Sequence, residues 1–191
     1  LSPLIAAKHD RKPIVDNQSF QQSSGDEITE TAGRFNAPGR FTALIGFAWT
    51  SMPSGDNLHR VVIYRDDADK ARQMLPLSAF DSEQPEDLWS FMEAYESRVE
   101  GQILAIPHNG NLSNGRLFAI EDSQGRPFDD IYAARRARHE PLVEVTQIKG
   151  DGETHPLLSP DDEFADFETW DFGNMRVPPI PKSEDMLQWE Y

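Results

Sequence analysis

The 191-residue chain carries 33 acidic and 18 basic residues, for a net charge of −15, and it contains no cysteine. This charge opposes nucleic-acid binding, which needs cationic surface to displace counterions from phosphates. The lack of cysteine excludes disulfides and thiolate metal ligands. No apolar run approaches the about 18 residues of a membrane span, so we expect a soluble chain with neither nucleic-acid nor membrane partners. The acidic surface either tolerates divalent cations or only maintains solubility.

The first 40 residues are polar and low in hydrophobicity, which predicts an irregular arm or insertion over residues 1–40. A short helix is expected only over Glu27–Phe35, with Asp26 as its cap. The chain begins at Leu1 without an initiator methionine or signal-peptide features, which indicates a fragment or a processed product. The sequence specifies no compartment and leaves a periplasmic or secreted parent protein open.

Residues 41–155 alternate between strand and helix patterns and are expected to form an α/β core. The strongest helix signal covers Pro85–Val99, because Pro85 suits a first turn and apolar residues recur at three- and four-residue steps. The other expected elements are strands over Phe41–Trp49, Leu58–Arg65, Ile103–Ile106 and Leu142–Ile148, and a helix over Asp129–Glu140. Residues 156–191 form an acidic, aromatic-containing extension, expected to stay irregular until a helix near Ser183.

One strand end stands out as a candidate site. Ile103–Ile106 is a short buried strand by its apolar run, Pro107 stops the ladder, and His108 and Asn109 follow. Ligands of α/β sheets bind beyond the carboxyl ends of the strands, so His108 is a candidate metal ligand or general acid/base. The alternative is a structural or merely exposed histidine.

A second polar loop, Lys149–His155, follows the strand expected at Leu142–Ile148. Two successive αβ units that deliver polar residues at strand ends favour an α/β sheet or barrel. However, these residues show no tight metal-ligand spacing, no Gly-rich phosphate loop and no Gly-x-Ser-x-Gly elbow. The residues alone therefore predict an α/β domain with a candidate hydrolytic site. The Arg135-Arg136-Arg138 cluster reads as a solvated face, with phosphate contact as the alternative.

Three segments, Phe41–Asp66, Ile103–Asn114 and Val143–Glu163, resemble a bacterial family known as domain of unknown function 3604. That family is similar to the polymerase-and-histidinol-phosphatase (PHP) metal hydrolases. The resemblance implies a segment of a distorted (β/α)7 barrel, which in the complete domain binds two or three divalent ions (Zn, Mn or Fe). It further implies hydrolysis of a small anionic ester.

Residue by residue, the resemblance makes His108, after Pro107, one metal ligand and His59 another. Glu153 falls where relatives carry a His-Gly-x-x-Glu pattern, and Lys149 takes the place of that histidine. The implied roles are catalytic for Lys149, Glu153 and Asn109, and substrate-binding for Asn111 and His155. Because His59 begins its strand, it can approach His108 only if the two strands are antiparallel or if the Ser51–Asn57 loop covers the same end.

Two departures from the family pattern stand out. Gly46-Phe47-Ala48 lacks the carboxylate of the bridging Gly-x-Glu motif, and the terminal His-x-His, Asp-His and Asp-x-His motifs are missing from the sequence. We therefore expect part of a metal-dependent ester hydrolase, with a phosphoesterase as the leading form and an isolated segment that is inactive. The alternatives are a sulfate-ester hydrolase or a non-catalytic binding or structural domain. Exposed sheet edges are expected to be covered by other parts of the parent chain or by a second copy.

Overall fold

The computed structural model of the chain describes residue 15, residues 17–178 and residues 180–182. Within them the helices are α1 (Gln18–Phe35), α2 (Ala68–Ala71), α3 (Pro85–Val99) and α4 (Asp130–His139). The strands are β1 (Ile45–Trp49), β2 (Arg60–Tyr64), β3 (Ile103–Pro107), β4 (Thr146–Gln147) and β5 (Gly150–Asp151). This mixed content agrees with the expected α/β class.

The central sheet has the order β1-β2-β3, and both of its strand pairs are antiparallel. Ile45 lies opposite Tyr64 across β1 and β2, and Arg60 lies opposite Pro107 across β2 and β3. The described strands form no closed barrel, and β4 and β5 make a separate two-stranded ribbon. Of the two expected αβ units, the first is present, since α3 leads into β3, but the second is not, because α4 is followed only by the two-residue β4, which pairs with β5 outside the central sheet.

Helix α3 has the predicted bounds and covers one face of the sheet. Its side chains Leu88, Trp89, Met92 and Tyr95 are completely buried. The helix ends at Val99, and the following Glu100 takes the left-handed conformation with φ of 53° as its C-cap. The next residue is a glycine because a Cβ at Gly101 would collide with the Tyr95 ring.

A buried ion cluster lies between this core and α4. Oε1 of Glu140 accepts hydrogen bonds from Nε of Arg60 at 3.0 Å and from Nε1 of Trp89 at 2.9 Å. Nε of Arg136 lies 3.3 Å from the other carboxylate oxygen. We call Arg60, Trp89, Arg136 and Glu140 the Glu140 cluster. Arg136 is therefore largely buried, and the interpretation of the arginines as one solvated face is wrong for it.

The opposite face of the sheet is apolar and only partly covered by the described chain. It carries the alternate residues of β2 and β3, which are Val61, Ile63, Leu104 and Ile106. Val61 is 36% exposed, and a groove of about 650 Å³ runs along this face past Leu104 and Ile106. One face thus packs on α3 while the other is left accessible.

The structure differs from the sequence-based prediction in three places: the irregular arm over residues 1–40, the helix cap at Asp26 and the strand over residues 142–148. Residues 1–40 are not wholly irregular, because α1 begins at Gln18, where Oδ1 of Asn17 accepts from the Phe20 amide at 3.1 Å. Asp26 therefore lies inside the helix and does not cap it. The polar composition hid this helix, which has one buried residue, Thr29, and contacts α2 through Arg72.

The strand expected over Leu142–Ile148 shrinks to the two residues of β4. The segment joins the end of β3 by one hydrogen bond, from the Glu144 amide to the Pro107 carbonyl at 3.1 Å. Its apolar side chains, such as Val143 and Ile148, are exposed, so an apolar composition here does not reflect burial. The described residues after position 155 contain turns and bends, and the helix expected near Ser183 lies outside the described residues. Within the described part of the chain, no helix combines the length and apolarity that a bilayer span requires.

Candidate functional site

The antiparallel pairing of β2 and β3 brings His59 and His108 together. Arg60 pairs with Pro107, so the register places the preceding His59 beside the following His108. The backbone amide of His108 donates to the His59 carbonyl at 3.3 Å, and the ring centroids are 5.7 Å apart. The sequence predicted that the two histidines could approach each other if their strands were antiparallel, and the two strands are antiparallel.

The His108 side chain is largely enclosed, with 14% of its surface exposed. Its Nδ1 lies 3.9 Å from Oε1 of Glu144 and 3.3 Å from Nε2 of Gln147. Its Nε2 is buried and has no hydrogen-bond partner among the described residues. Burial lowers the pKa of His108, Glu144 opposes that shift, and the charges of Lys149 and Arg60 add to it. The imidazole is therefore neutral at neutral pH, with a lone pair available.

Asn109 adopts the left-handed conformation with φ of 56°, which asparagine tolerates better than most residues. Its side-chain oxygen accepts from Nε2 of Gln147 at 2.6 Å, and the same nitrogen donates to Oε1 of Glu144 at 2.9 Å. Gln147 and Glu144 were not predicted as site residues. Their segment reads as an ordinary strand, and no signal in it marks these two side chains.

Asn57 holds the loop after β3 in place. It is completely buried, and its amide nitrogen donates to the carbonyls of His108 at 2.7 Å and Asn109 at 3.2 Å. The neighbouring carboxylate of Asp56 accepts from the Asn114 side chain at 2.7 Å. The loop before β2 therefore does lie over the same end of the sheet as His108, and sequence reasoning missed both anchors.

The second polar loop reaches the same end through Asn111. This side chain is 1% exposed, and its amide nitrogen donates to the Lys149 carbonyl at 3.1 Å, while the Lys182 amine donates to the Asn111 carbonyl. Lys149 is half-buried, and its charge acts on His108. Asn111 thus joins the two loops as a buried tie.

The two remaining predicted residues lie further along the second loop. Nδ1 of His155 accepts from the Leu157 amide at 3.3 Å, and burial and the charge of Lys182 lower the pKa of His155. Glu153 is exposed, and among the described residues only its backbone amide has a hydrogen bond, to Asp151 at 2.8 Å. The structure therefore gathers His59, His108, Asn109, Asn111 and Lys149, whereas no hydrogen bond or ion pair among the described residues joins the Glu153 side chain to them.

Unpartnered buried polar atoms concentrate in residues 108–114, which we call the His108 loop. They are His108 Nε2, Asn109 Nδ2, Asn111 Oδ1, Ser113 Oγ and Asn114 Oδ1. Buried polar atoms in folded proteins are nearly always hydrogen-bonded, so such a concentration marks a place for water, an ion or a ligand.

The donor set fits part of a metal site. Two imidazoles side by side, one with a buried and unpartnered Nε2, are suitable ligands for zinc, manganese or iron. Among the described residues, however, no group of three or more His, Asp or Glu side chains is placed to hold an ion. As candidate ligands, His59 and His108 would therefore supply only two positions, which we call a two-ligand half-site in the described chain.

The profile of a family described as Protein of unknown function (DUF3604) matches residues 5–191. The chain therefore belongs to this family, as the resemblance of its three segments predicted. Neither a curated protein nor a solved structure matches the chain.

Proposed function

We propose that this chain is part of a metal-dependent ester hydrolase in which His59 and His108 supply imidazole ligands. The observation that supports this most is the adjacency of the two rings, 5.7 Å apart, beside the buried, unpartnered Nε2 of His108. A buried nitrogen without a partner costs stability, and ligand binding is a reason for a protein to retain it.

The surrounding residues prepare His108 for that role. Burial keeps its imidazole neutral, and a neutral imidazole is the form that binds a metal. Asn57 fixes the backbone on both sides of the ring by holding two consecutive carbonyls. A divalent ion bound there would polarise the ester and lower the pKa of a bound water.

Lys149 and Asn109 are suited to the anionic part of the substrate. Lys149 is half-buried and its positive charge acts on His108, which favours an anion there although the whole chain carries a net charge of −15. Lysine acts as a compact point charge toward phosphoryl or sulfuryl oxygens. Asn109 adds a buried Nδ2 donor without a partner among the described residues. We place Asn111 and His155 at the edge of this pocket, and the catalytic role of Glu153 stays a prediction.

A phosphate ester is the leading substrate class, and a sulfate ester makes similar demands on the same groups. The second candidate function is a non-catalytic binding or structural domain. It is favoured by Ala48, which stands where the resemblance expects a metal-bridging carboxylate, and by the two-ligand half-site.

Metal titration of the purified chain tests the proposal. We expect Zn²⁺ or Mn²⁺ to bind weakly by calorimetry, and H108A and H59A each to reduce the affinity by about 10- to 100-fold. H155Q is the matched control, because His155 contacts the Leu157 amide and is not in the histidine pair. Unchanged affinity in H108A would contradict the metal role. Phosphate-ester and sulfate-ester assays on the parent protein then separate the two hydrolase forms, and metal binding without turnover would favour the binding domain.

A further inference from the structure

A cavity of about 280 Å³ lies between the start of α3, helix α4 and residues 116–123. Its walls carry several charged side chains, and among the described residues that line it there is neither His59 nor His108. We propose that this cavity is a second ligand site and that it binds a free α-amino acid, with the ligand's carboxylate at Arg136 and its ammonium at Glu86. The inference is independent of the proposed metal function.

One part of the cavity wall carries more positive than negative charge. Arg60 and Arg136 both line the cavity, and their side chains are only 1% and 14% exposed. Both arginines pair with the same carboxylate, that of Glu140, which is 2% exposed. Two buried guanidinium groups therefore share one negative charge, and a buried charge without a full partner is costly. An anionic group in the cavity would supply the missing charge.

Arg136 is held in position with one end of its guanidinium still available. Its Nη2 donates to the Leu117 carbonyl at 2.7 Å, its guanidinium carbon lies 4.5 Å from the centre of the Phe118 ring, and its Nε faces Glu140. Within the described chain these contacts leave Nη1, which carries two protons, for a ligand. Burial lowers the pKa of Arg136 although Glu140 opposes the shift, which agrees with a cation that is not fully compensated.

Glu86 brings a carboxylate oxygen without a partner to the same cavity. Its Oε1 accepts from the Tyr132 hydroxyl at 2.8 Å and from the Ser123 amide at 3.1 Å, and these bonds fix the side chain. Its Oε2 is buried and has no hydrogen-bond partner among the described residues. The ion pair of Arg136 runs to Glu140, so Arg136 and Glu86 do not neutralise each other. Since buried polar atoms are nearly always paired, this oxygen is a place for a donor from a ligand.

The ligand that matches both groups carries a carboxylate and an ammonium, as an α-amino acid does on a single carbon. A plain anion would satisfy Arg136 but would be repelled by Glu86, and a plain amine would have the reverse problem. The cavity is slightly smaller than the roughly 300–1,000 Å³ of pockets for drug-sized ligands, which favours a small ligand.

Calorimetric titration of the purified chain with each of the twenty free amino acids tests the proposal. Acetate and methylammonium are the comparison probes, because each carries only one of the two charged groups. We expect at least one amino acid to bind, and to bind about 10-fold or more tightly than either probe, since a hydrogen bond to a charged group contributes about 10- to 100-fold in affinity. H108A should bind the same amino acid as the original chain does, because His108 does not line the cavity.

Two substitutions separate the roles of the charged groups. E86Q keeps an oxygen for the Tyr132 and Ser123 donors but removes the charge, so it should weaken amino-acid binding by about 10- to 100-fold without weakening acetate binding. R136M should weaken the binding of both. E163Q and R138M make the same chemical changes at side chains outside the cavity, which are exposed, and should have no effect.

Circular dichroism checks that each variant is folded, and if R136M does not fold, E86Q decides. Selective loss of amino-acid binding in E86Q would support the site. The inference would be overturned if no amino acid binds, if acetate binds as tightly as the best amino acid, or if E86Q leaves amino-acid affinity unchanged.

Discussion

Two polar clusters flank the start of β2, and they differ in how well their buried groups are paired. In the Glu140 cluster, one carboxylate oxygen accepts from both Arg60 and Trp89, and the other, which has no hydrogen bond among the described residues, is compensated by the charge of Arg136 at 3.3 Å. In the His108 loop, five buried polar atoms have no partner among the described residues. A paired cluster of this kind holds elements together, whereas an unpaired one costs stability and is a candidate for ligand binding.

The two clusters are supplied by consecutive residues. Side chains alternate between the faces of a strand, so Arg60 points into the core while His59 points to the other side. Of these two consecutive residues, His59 therefore contributes to the candidate site and Arg60 contributes to stability. If this division is correct, substitutions in the Glu140 cluster should mainly lower the free energy of unfolding, whereas substitutions in the His108 loop should mainly reduce metal binding.

The largest loss of stability is expected from E140A. Removing this carboxylate leaves the guanidinium of Arg60, which is 1% exposed, buried without its charge partner. Breaking a buried pair in this way commonly costs about 3–5 kcal/mol in the free energy of unfolding. Urea denaturation measures it. The control is R138A, which removes an ion pair between Glu96 and an arginine whose side chain is 64% exposed. It should lower the free energy of unfolding by no more than about 1 kcal/mol. Equal losses in the two variants would refute a structural role for the cluster.

The His108 loop should respond to metal instead. Zn²⁺ at about 100 times its dissociation constant stabilises a protein that binds it only when folded by about 2.7 kcal/mol. We expect this gain in the original chain, its loss in H108A, and its retention in E140A if that variant is still folded. Thermal unfolding with and without Zn²⁺ gives the answer. A gain of the same size in H108A would place the ion elsewhere.

The sequence predicted the parts of this comparison that depend on local signals. Helix α3 was found because Pro85 and its apolar stripe act over a few residues, and His108 was found because Pro107 ends an apolar run. The pairing of His59 with His108 was only conditional, since strand direction depends on a long connection. Glu144 and Gln147 could not be predicted as site residues, because each lies near a residue distant in sequence. Glu144 lies near His108, 36 residues earlier, and Gln147 contacts Asn109, whose backbone conformation the sequence does not reveal.

Helix α1 and the short β4 were missed for a related reason. Helix α1 is rich in polar residues and Thr29 is its one buried residue, so its sequence resembles an irregular arm more than a core helix. Conversely, the apolar side chains of residues 142–148 suggest a strand although most of them are exposed. In both cases tertiary contacts, such as the Glu144–Pro107 hydrogen bond, determine the local structure.

The conformation of Asn109 gives a smaller test of the His108 loop. N109A places a Cβ-bearing residue without a polar side chain at φ of 56°, which costs about 1–2 kcal/mol, and it removes the acceptor of Gln147. N109G removes the same acceptor but has no conformational penalty at positive φ. Chemical denaturation should therefore find N109A less stable than N109G. The reverse order would show that the backbone conformation is not a constraint on this loop.

The smallest expected effect is the pH dependence contributed by His155. Burial, and secondarily the charge of Lys182, lower the pKa of His155 in the folded chain below its ordinary value of about 6.5. As the pH falls below about 6.5, the unfolded chain takes up this proton before the folded chain does, so the folded state loses stability until the pH reaches the lowered pKa. H155Q cannot bind the proton, and its free energy of unfolding should fall less between pH 7 and pH 5 than that of the original chain. K182Q removes one cause of the shift and should fall between the two. If H155Q and the original chain lose the same stability over this range, the environment of His155 does not disfavour its charged form, and the pH dependence arises from other groups such as His108.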